Sequence, residues 1–397
     1  MKSPDAIFSC REIYATISLI SIFLLAYNSS SVFYTTVPIP AATDPPEKVT
    51  TPEENVAGKS SRKVFSVPQL NTRIPLLSQN RNLAISPNRT ARQTKKKLRR
   101  FEDRVTDFFD ADCKNQFFMT WISPLETFGG REIFVLHTLF TAHPNGCLII
   151  ASDSLDSKNG TKVLKPFLAK GLKVSAISPD FNFLFKKTPA EAWYNQLKSG
   201  SLHSGVVPLG QNLSNLLRLG LLYRFGGTYL DTDVIILRSF NGLKNAIGAQ
   251  TVDSITGNWS RLNNAVMVFD RGHPLLYKFI QEFALTFDGN KWGHNGPYLV
   301  SRVVARISGR PGYEFEVLPP PAFYPVDWSR IKALFEGPRN STESKWVAAK
   351  LDQLRSRCFA VHLWNKHSRG MVVEKGSILE HLMSGFGYNY LNSTMNF

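Results

Sequence analysis

Short apolar runs alternate with segments of helical periodicity along the chain after residue 104. Such runs, bounded by turn formers, are typical of buried strands, and apolar positions three and four residues apart are typical of helices. The pattern predicts strands at residues 117–122, 147–151, 172–177, 228–237, 246–250, 265–269, 315–318 and 358–363. It predicts helices at residues 209–223, 274–287 and 298–307. The alternation indicates an α/β domain whose sheet is largely parallel at first.

The amino-terminal part has a different pattern. Residues 13–43 carry no charged side chain, and residues 13–34 reach the ~20 residues that a membrane helix needs. We predict a cytosolic tail at residues 1–12 and a signal-anchor membrane helix at residues 13–34. A cleaved signal peptide is the alternative, because three small residues, Ser29 to Ser31, follow a short apolar core. The count of positive charges alone favours the opposite orientation, but long polar segments cross a membrane largely regardless of charge.

Residues 35–104 are rich in Pro, Ser, Thr and Lys, a composition that predicts a disordered luminal stem. Between residues 44 and 104 there are 14 basic and 6 acidic residues, so this stretch carries half of the net charge of +16. A basic balance favours acidic or phosphate-bearing partners. The basic run at residues 92–104 could bind nucleic acid or anionic lipid, but with a membrane segment upstream we interpret it as a solvated spacer. We expect no nucleic-acid partner.

Cysteines and glycosylation sequons bear on the compartment. If Cys10 is cytosolic, Cys113, Cys147 and Cys358 remain, an odd set that allows at most one intramolecular bridge and leaves the pairing open. Sequons at residues 88, 159, 258, 340 and 392 are compatible with a luminal chain.

Candidate chemistry is concentrated in one stretch, residues 212–236. A predicted helix ends at Gly226 and Gly227, and the following strand, with its period of two, places Asp231 and Asp233 on one side. Paired carboxylates suit Mg²⁺ or Mn²⁺, whose open positions can bridge two phosphates. Asp-x-Asp alone occurs in many solvated turns, but the helix, the double glycine and the apolar strand around it favour a metal site that receives a nucleotide diphosphate.

With these residues the sequence resembles the DxD-containing α-1,4-glycosyltransferases (glycosyltransferase family 32), a group that includes lactosylceramide α-1,4-galactosyltransferase and α-1,4-N-acetylglucosaminyltransferase. The resemblance extends from about residue 117 to 370. Besides the Asp-x-Asp stretch it rests on five blocks in family order, at residues 188–194, 262–265, 292–297, 318–325 and 360–366.

The resemblance implies a GT-A type fold, a Rossmann-like α/β/α sandwich, over a catalytic domain at residues 105–397. It implies a single-pass type II Golgi membrane protein with a luminal catalytic domain. The activity would be the retaining transfer of a hexose or N-acetylhexosamine from a nucleotide sugar, a UDP-sugar by preference, to a glycolipid or glycan acceptor. The new linkage would be α-1,4. Asp231 and Asp233 would be the catalytic metal ligands, holding Mn²⁺ or Mg²⁺.

The resemblance also assigns further site residues. His362 would complete the metal site, although it could equally be a hydrogen-bonded core histidine. The donor-binding residues would be Asn215, Arg218, Gly227, Trp364 and Lys366, and the acceptor-facing residues Asn264, His294 and Asn295. The loop at residues 292–297 has the simpler interpretation of a helix entry. Many family members carry Asp where this sequence has Asn215, which leaves the donor sugar open.

Two other classes compete with this interpretation. A haloacid-dehalogenase-type phosphatase would use the first Asp of residues 230–234 as a nucleophile. That fold needs a further acidic pair downstream, and the sequence has no adjacent Asp/Glu pair after Asp233. A membrane-tethered sugar-binding protein without catalysis is the other alternative, and the two intact carboxylates argue against it.

Overall fold

The computed structural model of the chain describes residues 100–110 and 112–388. Its strands are β1 (Asn115–Thr120), β2 (Gly146–Ala151), β3 (Lys173–Ile177), β4 (Gly227–Leu230), β5 (Val234–Ile236), β6 (Ala246–Val252), β7 (Trp259–Phe269), β8 (Glu316–Leu318) and β9 (Ala360–His362). Seven of them form one sheet in the order β3-β2-β1-β4-β7-β6-β8, and β5 pairs with β9 in a second, two-stranded sheet. The first four strands of the large sheet run parallel, and β7 is antiparallel to β4 and β6.

The helices are α1 (Phe101–Phe109), α2 (Gly130–Ala142), α3 (Lys158–Leu168), α4 (Phe181–Phe185), α5 (Ala190–Ser199), α6 (Leu209–Phe225), α7 (Pro274–Thr286), α8 (Pro297–Ile307), α9 (Ser341–Arg357), α10 (Asn365–Ser368) and α11 (Ile378–Gly385). Three short 3₁₀ helices lie at Leu125–Thr127, Pro320–Ala322 and Trp328–Leu334.

The large sheet separates two apolar cores. Alternation along β1 sends Phe117 to one core, with Phe134 of α2 and Leu354 of α9. Phe118 enters the other core, with residues of α6, α7 and α8 such as Leu217. Because successive side chains of a strand point to opposite faces, a sheet buried on both faces needs helices on both. The chain is therefore a three-layer mixed α/β structure with a parallel-rich central sheet.

Most predicted elements are present. The three predicted helices correspond to α6, α7 and α8, and the predicted early parallel strands correspond to β1 to β3. The prediction of one strand over residues 228–237 is wrong, because a turn interrupts it and its two halves join different sheets. The strand predicted at 265–269 begins earlier, at Trp259, and pairs with β6 through several register shifts.

The predicted tail, signal anchor and nearly all of the predicted stem lie outside the described residues. Helix α1 begins within the last residues of the predicted stem, and its Phe101, Val105 and Phe109 are buried. Within the described ranges, no helix combines the length and the apolar character that crossing a bilayer requires.

Two of the three cysteines in the described residues form a disulfide bridge, and the third is free. Cys113 and Cys147 are disulfide-bonded, which joins the segment before β1 to β2. Cys358 is a buried free thiol just before β9. The expectation of at most one bridge is met, and the structure supplies the pairing that the sequence leaves open.

Candidate active site

The Asp-x-Asp segment is a turn between the two sheets. Strand β4 ends at Leu230, and the backbone N–H of Asp231 still donates to the carbonyl of Ala265 in β7 (2.8 Å). The N–H of Val234 then donates back to the carbonyl of Asp231 (3.2 Å), and β5 begins. The carboxylates of Asp231 and Asp233 therefore converge through this turn and not through the period of a continuous strand.

The second sheet brings His362 to the turn. Strands β5 and β9 are antiparallel, with Val234 opposite His362. The N–H of Leu363 donates to the carbonyl of Asp233 (2.9 Å), and Nε2 of His362 lies 3.2 Å from Oδ1 of Asp233. Backbone pairing thus fixes the imidazole beside the carboxylate, although about 130 residues separate them in sequence.

Asp231, Asp233 and His362 form a group that fits a divalent metal ion. One ligand atom from each lies within 4.8 Å of the other two. Two carboxylate oxygens and one imidazole nitrogen form a donor set that suits Mn²⁺ or Mg²⁺. Nδ1 of His362 is buried without a hydrogen-bond partner in the described structure, so Nε2 is the atom that the imidazole turns toward the carboxylates.

Asp231 is held from α6. Both Nη atoms of Arg218 contact its carboxylate, at 3.0 and 3.2 Å, and the hydroxyl of Tyr229 donates to Oδ1 at 2.7 Å. The Arg218 side chain is only 3% exposed. Burial raises the pKa of Asp231, and the positive charge of Arg218 offsets only part of that rise.

Asp233 is held from the carboxyl-terminal segment. Besides its contact with His362, Oδ2 accepts a hydrogen bond from the backbone N–H of Asn365 (2.8 Å). Burial alone would raise the pKa of Asp233, but the charge and hydrogen bond of His362 and the Asn365 hydrogen bond lower it to about 2. Asp233 in turn raises the pKa of His362 against the opposite effect of burial.

Arg131 supports this segment, and sequence reasoning missed it. The guanidinium of this buried arginine donates from Nη1 to Oδ1 of Asn365 (2.6 Å) and to Oγ of Ser368 (2.9 Å), and from Nη2 to the Ser368 carbonyl (2.9 Å). Arg131 therefore fixes α10, whose first backbone N–H bonds Asp233. The sequence carries only a Gly-Arg-Glu helix start there, which is no signal of a site residue.

Asn215 and Arg218, predicted on one helix face, do lie together. Nδ2 of Asn264 donates to Oδ1 of Asn215 (3.0 Å), and Nη1 of Arg218 donates to the backbone carbonyl of Asn264 (2.8 Å). Both asparagines are buried. Asn264, predicted to face the acceptor, is thus joined to the residues predicted to bind the donor.

The predicted acceptor-facing loop is anchored by two of its polar residues. Asn295 is buried, and its amide donates to Oδ1 of Asn212 in α6 (3.0 Å) and to the carbonyl of Asp288 (2.8 Å). Nε2 of His294 lies 2.8 Å from the carbonyl of Thr286. These contacts hold the loop itself.

Three predicted donor-binding residues occupy different places. Gly227 lies at the start of β4, the strand end opposite Asp231, where its φ of +98° and a Cβ position 2.7 Å from the Gln116 carbonyl require glycine. The ring of Trp364 packs 4.3 Å from that of His362. Lys366 is exposed, and its Nζ lies 3.8 Å from the ring centre of Trp292. The structure thus brings Trp364 and Lys366 to the metal-binding segment but not Gly227.

Comparison with known proteins identifies two family regions in the chain. The chain matches two family descriptions, "Glycosyltransferase sugar-binding region containing DXD motif" over residues 129–253 and "Alpha 1,4-glycosyltransferase conserved region" over residues 268–388. The first range contains Arg131, Asp231 and Asp233, and the second contains His362.

Individual relatives agree with these matches. The chain is 37% identical to rat (Rattus norvegicus) lactosylceramide 4-alpha-galactosyltransferase, covering 50% of this chain and 52% of that protein. It is 34% identical to the Pongo pygmaeus protein of that name, covering 51% and 88%. It is 27% identical to human α-1,4-N-acetylglucosaminyltransferase, covering 55% and 61%. The chain spans about half the length of the first curated relatives it matches. The two matched regions together supply the Asp231–Asp233–His362 group, and the chain belongs to the DXD-containing α-1,4-glycosyltransferase family.

Proposed function

We propose that this protein is a metal-dependent retaining glycosyltransferase. It would move a hexose or N-acetylhexosamine from a nucleotide sugar, preferably a UDP-sugar, to a glycolipid or glycan acceptor and form an α-1,4 linkage. The observation that carries the proposal is the convergence of Asp231, Asp233 and His362, with ligand atoms within 4.8 Å of one another. The names of the relatives support the substrate classes.

The chain's own residues prepare the site for a phosphate-bearing donor. Asp231, Asp233 and His362 would hold Mn²⁺ or Mg²⁺. A bound divalent ion neutralises the negative charge that develops on the leaving diphosphate. Arg218 orients the Asp231 carboxylate through two contacts, and Lys366 adds an exposed positive charge next to Asn365. Asn215 and Arg218 would meet the donor sugar.

The finer assignments belong to the same proposal. The fold would be of GT-A type, and the predicted signal anchor at residues 13–34 would make the protein a single-pass type II protein of the Golgi membrane. The basic residues 44–104 would then be a luminal stem. Nothing in this arrangement calls for a nucleic-acid partner.

The test is a donor screen with the full-length chain in detergent. UDP-galactose, UDP-glucose, UDP-N-acetylglucosamine and GDP-mannose are each offered with lactosylceramide or an N-acetylhexosamine-terminated glycan, in Mn²⁺, Mg²⁺ or EDTA. We expect one donor to give a product of higher mass whose new linkage is α by NMR, and EDTA to prevent it. Release of phosphate from a simple phosphomonoester without sugar transfer would favour the phosphatase. Sugar binding without turnover of any donor would favour the silent binding protein.

A further inference from the structure

A tryptophan on the loop before α8 is partly exposed and contacts Lys366, one of the residues predicted to bind the donor. The side chain of Trp292 is 47% exposed. Burial of an indole contributes more than burial of most side chains, so a tryptophan that stays half exposed beside a site has a face available for a ligand.

The carboxyl-terminal end of this loop lies against α6. Asn295 anchors it to Asn212, and a Cβ at Gly296 would stand 2.8 Å from Oδ1 of Asn215. A side chain at Gly296 would therefore require the Asn215 amide to shift. The loop therefore contacts α6 at Asn212 and Asn215.

The other end of the loop lies against α10. Nζ of Lys366 stands 3.8 Å from the ring centre of Trp292, a cation–π contact. Lys366 directly follows Asn365, whose backbone N–H bonds Asp233. The loop of Trp292 thus contacts both α6, which holds Asp231, and α10, which holds Asp233.

The indole of Trp292 has Lys366 on one side and an exposed part that a sugar ring could cover. Lys366 contacts the ring of Trp292, and Asn365, the residue before Lys366, bonds Asp233 of the proposed metal site. A pyranose ring carries an apolar face of C–H groups, which an aromatic face can cover while the hydroxyls stay hydrated. An acceptor for transfer must present such a ring at this point.

We propose that Trp292 is the acceptor platform, on which the terminal pyranose of a saccharide acceptor stacks its apolar face. The inference rests on the proposed function and adds the acceptor site to it. Asn295 and His294 are then positioning residues that hold the loop. The acceptor contact belongs to the exposed indole, which the sequence reasoning did not single out.

The test separates acceptor binding from the donor site. With the full-length chain and the donor that the wild type uses, transfer to a saccharide acceptor is measured beside metal-dependent hydrolysis of that donor without acceptor. Trp292→Ala should raise the acceptor KM roughly tenfold or more, and by a larger factor than any change in the donor KM that follows from losing the contact with Lys366. Trp292→Phe, which keeps an aromatic face, should restore most of the acceptor affinity.

Trp328 provides the matched control. It is also 47% exposed and stacks on His367, the residue after Lys366, but it belongs to the 3₁₀ helix Trp328–Leu334 and not to the loop. Trp328→Ala should leave the acceptor KM unchanged. An unchanged acceptor KM in Trp292→Ala, or an equal rise in Trp328→Ala, overturns the inference while the proposed function stands. A wild-type chain that turns over no donor overturns both.

Discussion

Asp231 and Asp233 stand two residues apart but belong to two different regions. Asp231 directly follows a strand of the large sheet and is paired with Arg218, 13 positions earlier in the chain. Asp233 precedes a strand of the small sheet and is paired with His362, which arrives from the carboxyl-terminal segment. Their electrostatic surroundings differ accordingly, since the pKa of Asp231 is raised and that of Asp233 is lowered.

The difference shows how the site is assembled. The side chains that hold the Asp231 carboxylate, Arg218 and Tyr229, come from one continuous helix–strand unit, α6 and β4. The Asp233 side requires β9 and α10 to dock on β5, with Arg131 fixing α10 from a third element. Asp231 is therefore held by residues close to it in sequence, which we call the local side of the site. The position of Asp233 depends on the docking of the carboxyl-terminal segment, which we call the distant side.

The largest expected effect is the loss of either carboxylate charge. Asp231→Asn and Asp233→Asn should each lower transfer on the order of 1000-fold, because each removes a charged metal ligand at nearly constant volume. Their effects on the free energy of unfolding should differ. Asp231→Asn leaves the buried Arg218 without its counter-charge, at a cost of about 3 kcal/mol, whereas His362 can lose its proton when Asp233 is neutralised.

Transfer assays and urea unfolding in EDTA check this prediction. EDTA removes any contribution of metal binding to stability. Equal destabilisation by the two variants would contradict the distinction between the two regions, and wild-type turnover in either would remove that residue from the metal site.

The next effect concerns His362 and pH. Metal binding needs the neutral imidazole, and Asp233 raises the His362 pKa above its ordinary 6.5. Mn²⁺ affinity should therefore fall as the pH drops through that raised pKa, with a proton released on binding. His362→Gln should weaken Mn²⁺ binding roughly 100-fold and flatten its pH dependence.

Calorimetric titration of Mn²⁺ in two buffers of different ionisation enthalpy measures both the affinity and the proton release. Asp233 itself has a depressed pKa, so its contribution to stability is present above its ordinary 3.8 and is lost as the pH falls toward about 2. Mn²⁺ affinity that is independent of pH in the wild type would show that His362 is a core histidine.

The sequence predicts the local side of the site better than the distant one. The helix, the double glycine and Asp231 lie within one segment, where periodicity and turn residues are sufficient signals. The break between β4 and β5 leaves no such signal, because residues 228–237 are apolar on both sides of the turn. The break arises because β5 pairs with β9, about 130 residues away in sequence, and not with the large sheet.

The sequence also does not predict the roles of residues whose contacts depend on packing. Arg131 is a buried arginine at a helix start, and only the fold shows that it bonds α10. From the sequence, Asn295 is a polar residue in a glycine-rich loop that could contact a ligand. In the structure it is buried and bonded to Asn212. Gly227 closely precedes the motif in sequence, but the length of β4 separates it from Asp231.

A smaller effect is expected from Arg131→Lys. Lysine keeps the charge but cannot bond Asn365 and Ser368 with one planar group. The Asn365 N–H should then hold Asp233 less firmly, and Mn²⁺ affinity should fall roughly tenfold. Arg104→Lys is the matched control, because Arg104 also makes two hydrogen bonds to one partner, Asp156, outside the site.

Mn²⁺ titration of both variants, with urea unfolding alongside, checks this prediction. Arg104→Lys should leave the Mn²⁺ affinity as in the wild type even if it changes stability. If both variants weaken Mn²⁺ binding equally, the link from Arg131 through α10 to Asp233 is refuted.

The smallest overall effect, and the most specific, is expected from Asn215→Asp on the local side. Oδ1 of Asn215 accepts from Asn264, so the amide N–H₂ is the group that Asn215 offers to a ligand. A carboxylate would keep the Asn264 contact but present an acceptor and a negative charge instead. Because a mismatched buried hydrogen bond costs on the order of 1–3 kcal/mol, the relative efficiencies of the four nucleotide sugars should be reordered.

The matched control is Asn212→Asp, one turn earlier on the same helix and bonded to Asn295. It should lower transfer with every donor and preserve their ranking. A preserved ranking in Asn215→Asp would move Asn215 out of the sugar site and confine the role of the local side to holding Asp231 through Arg218.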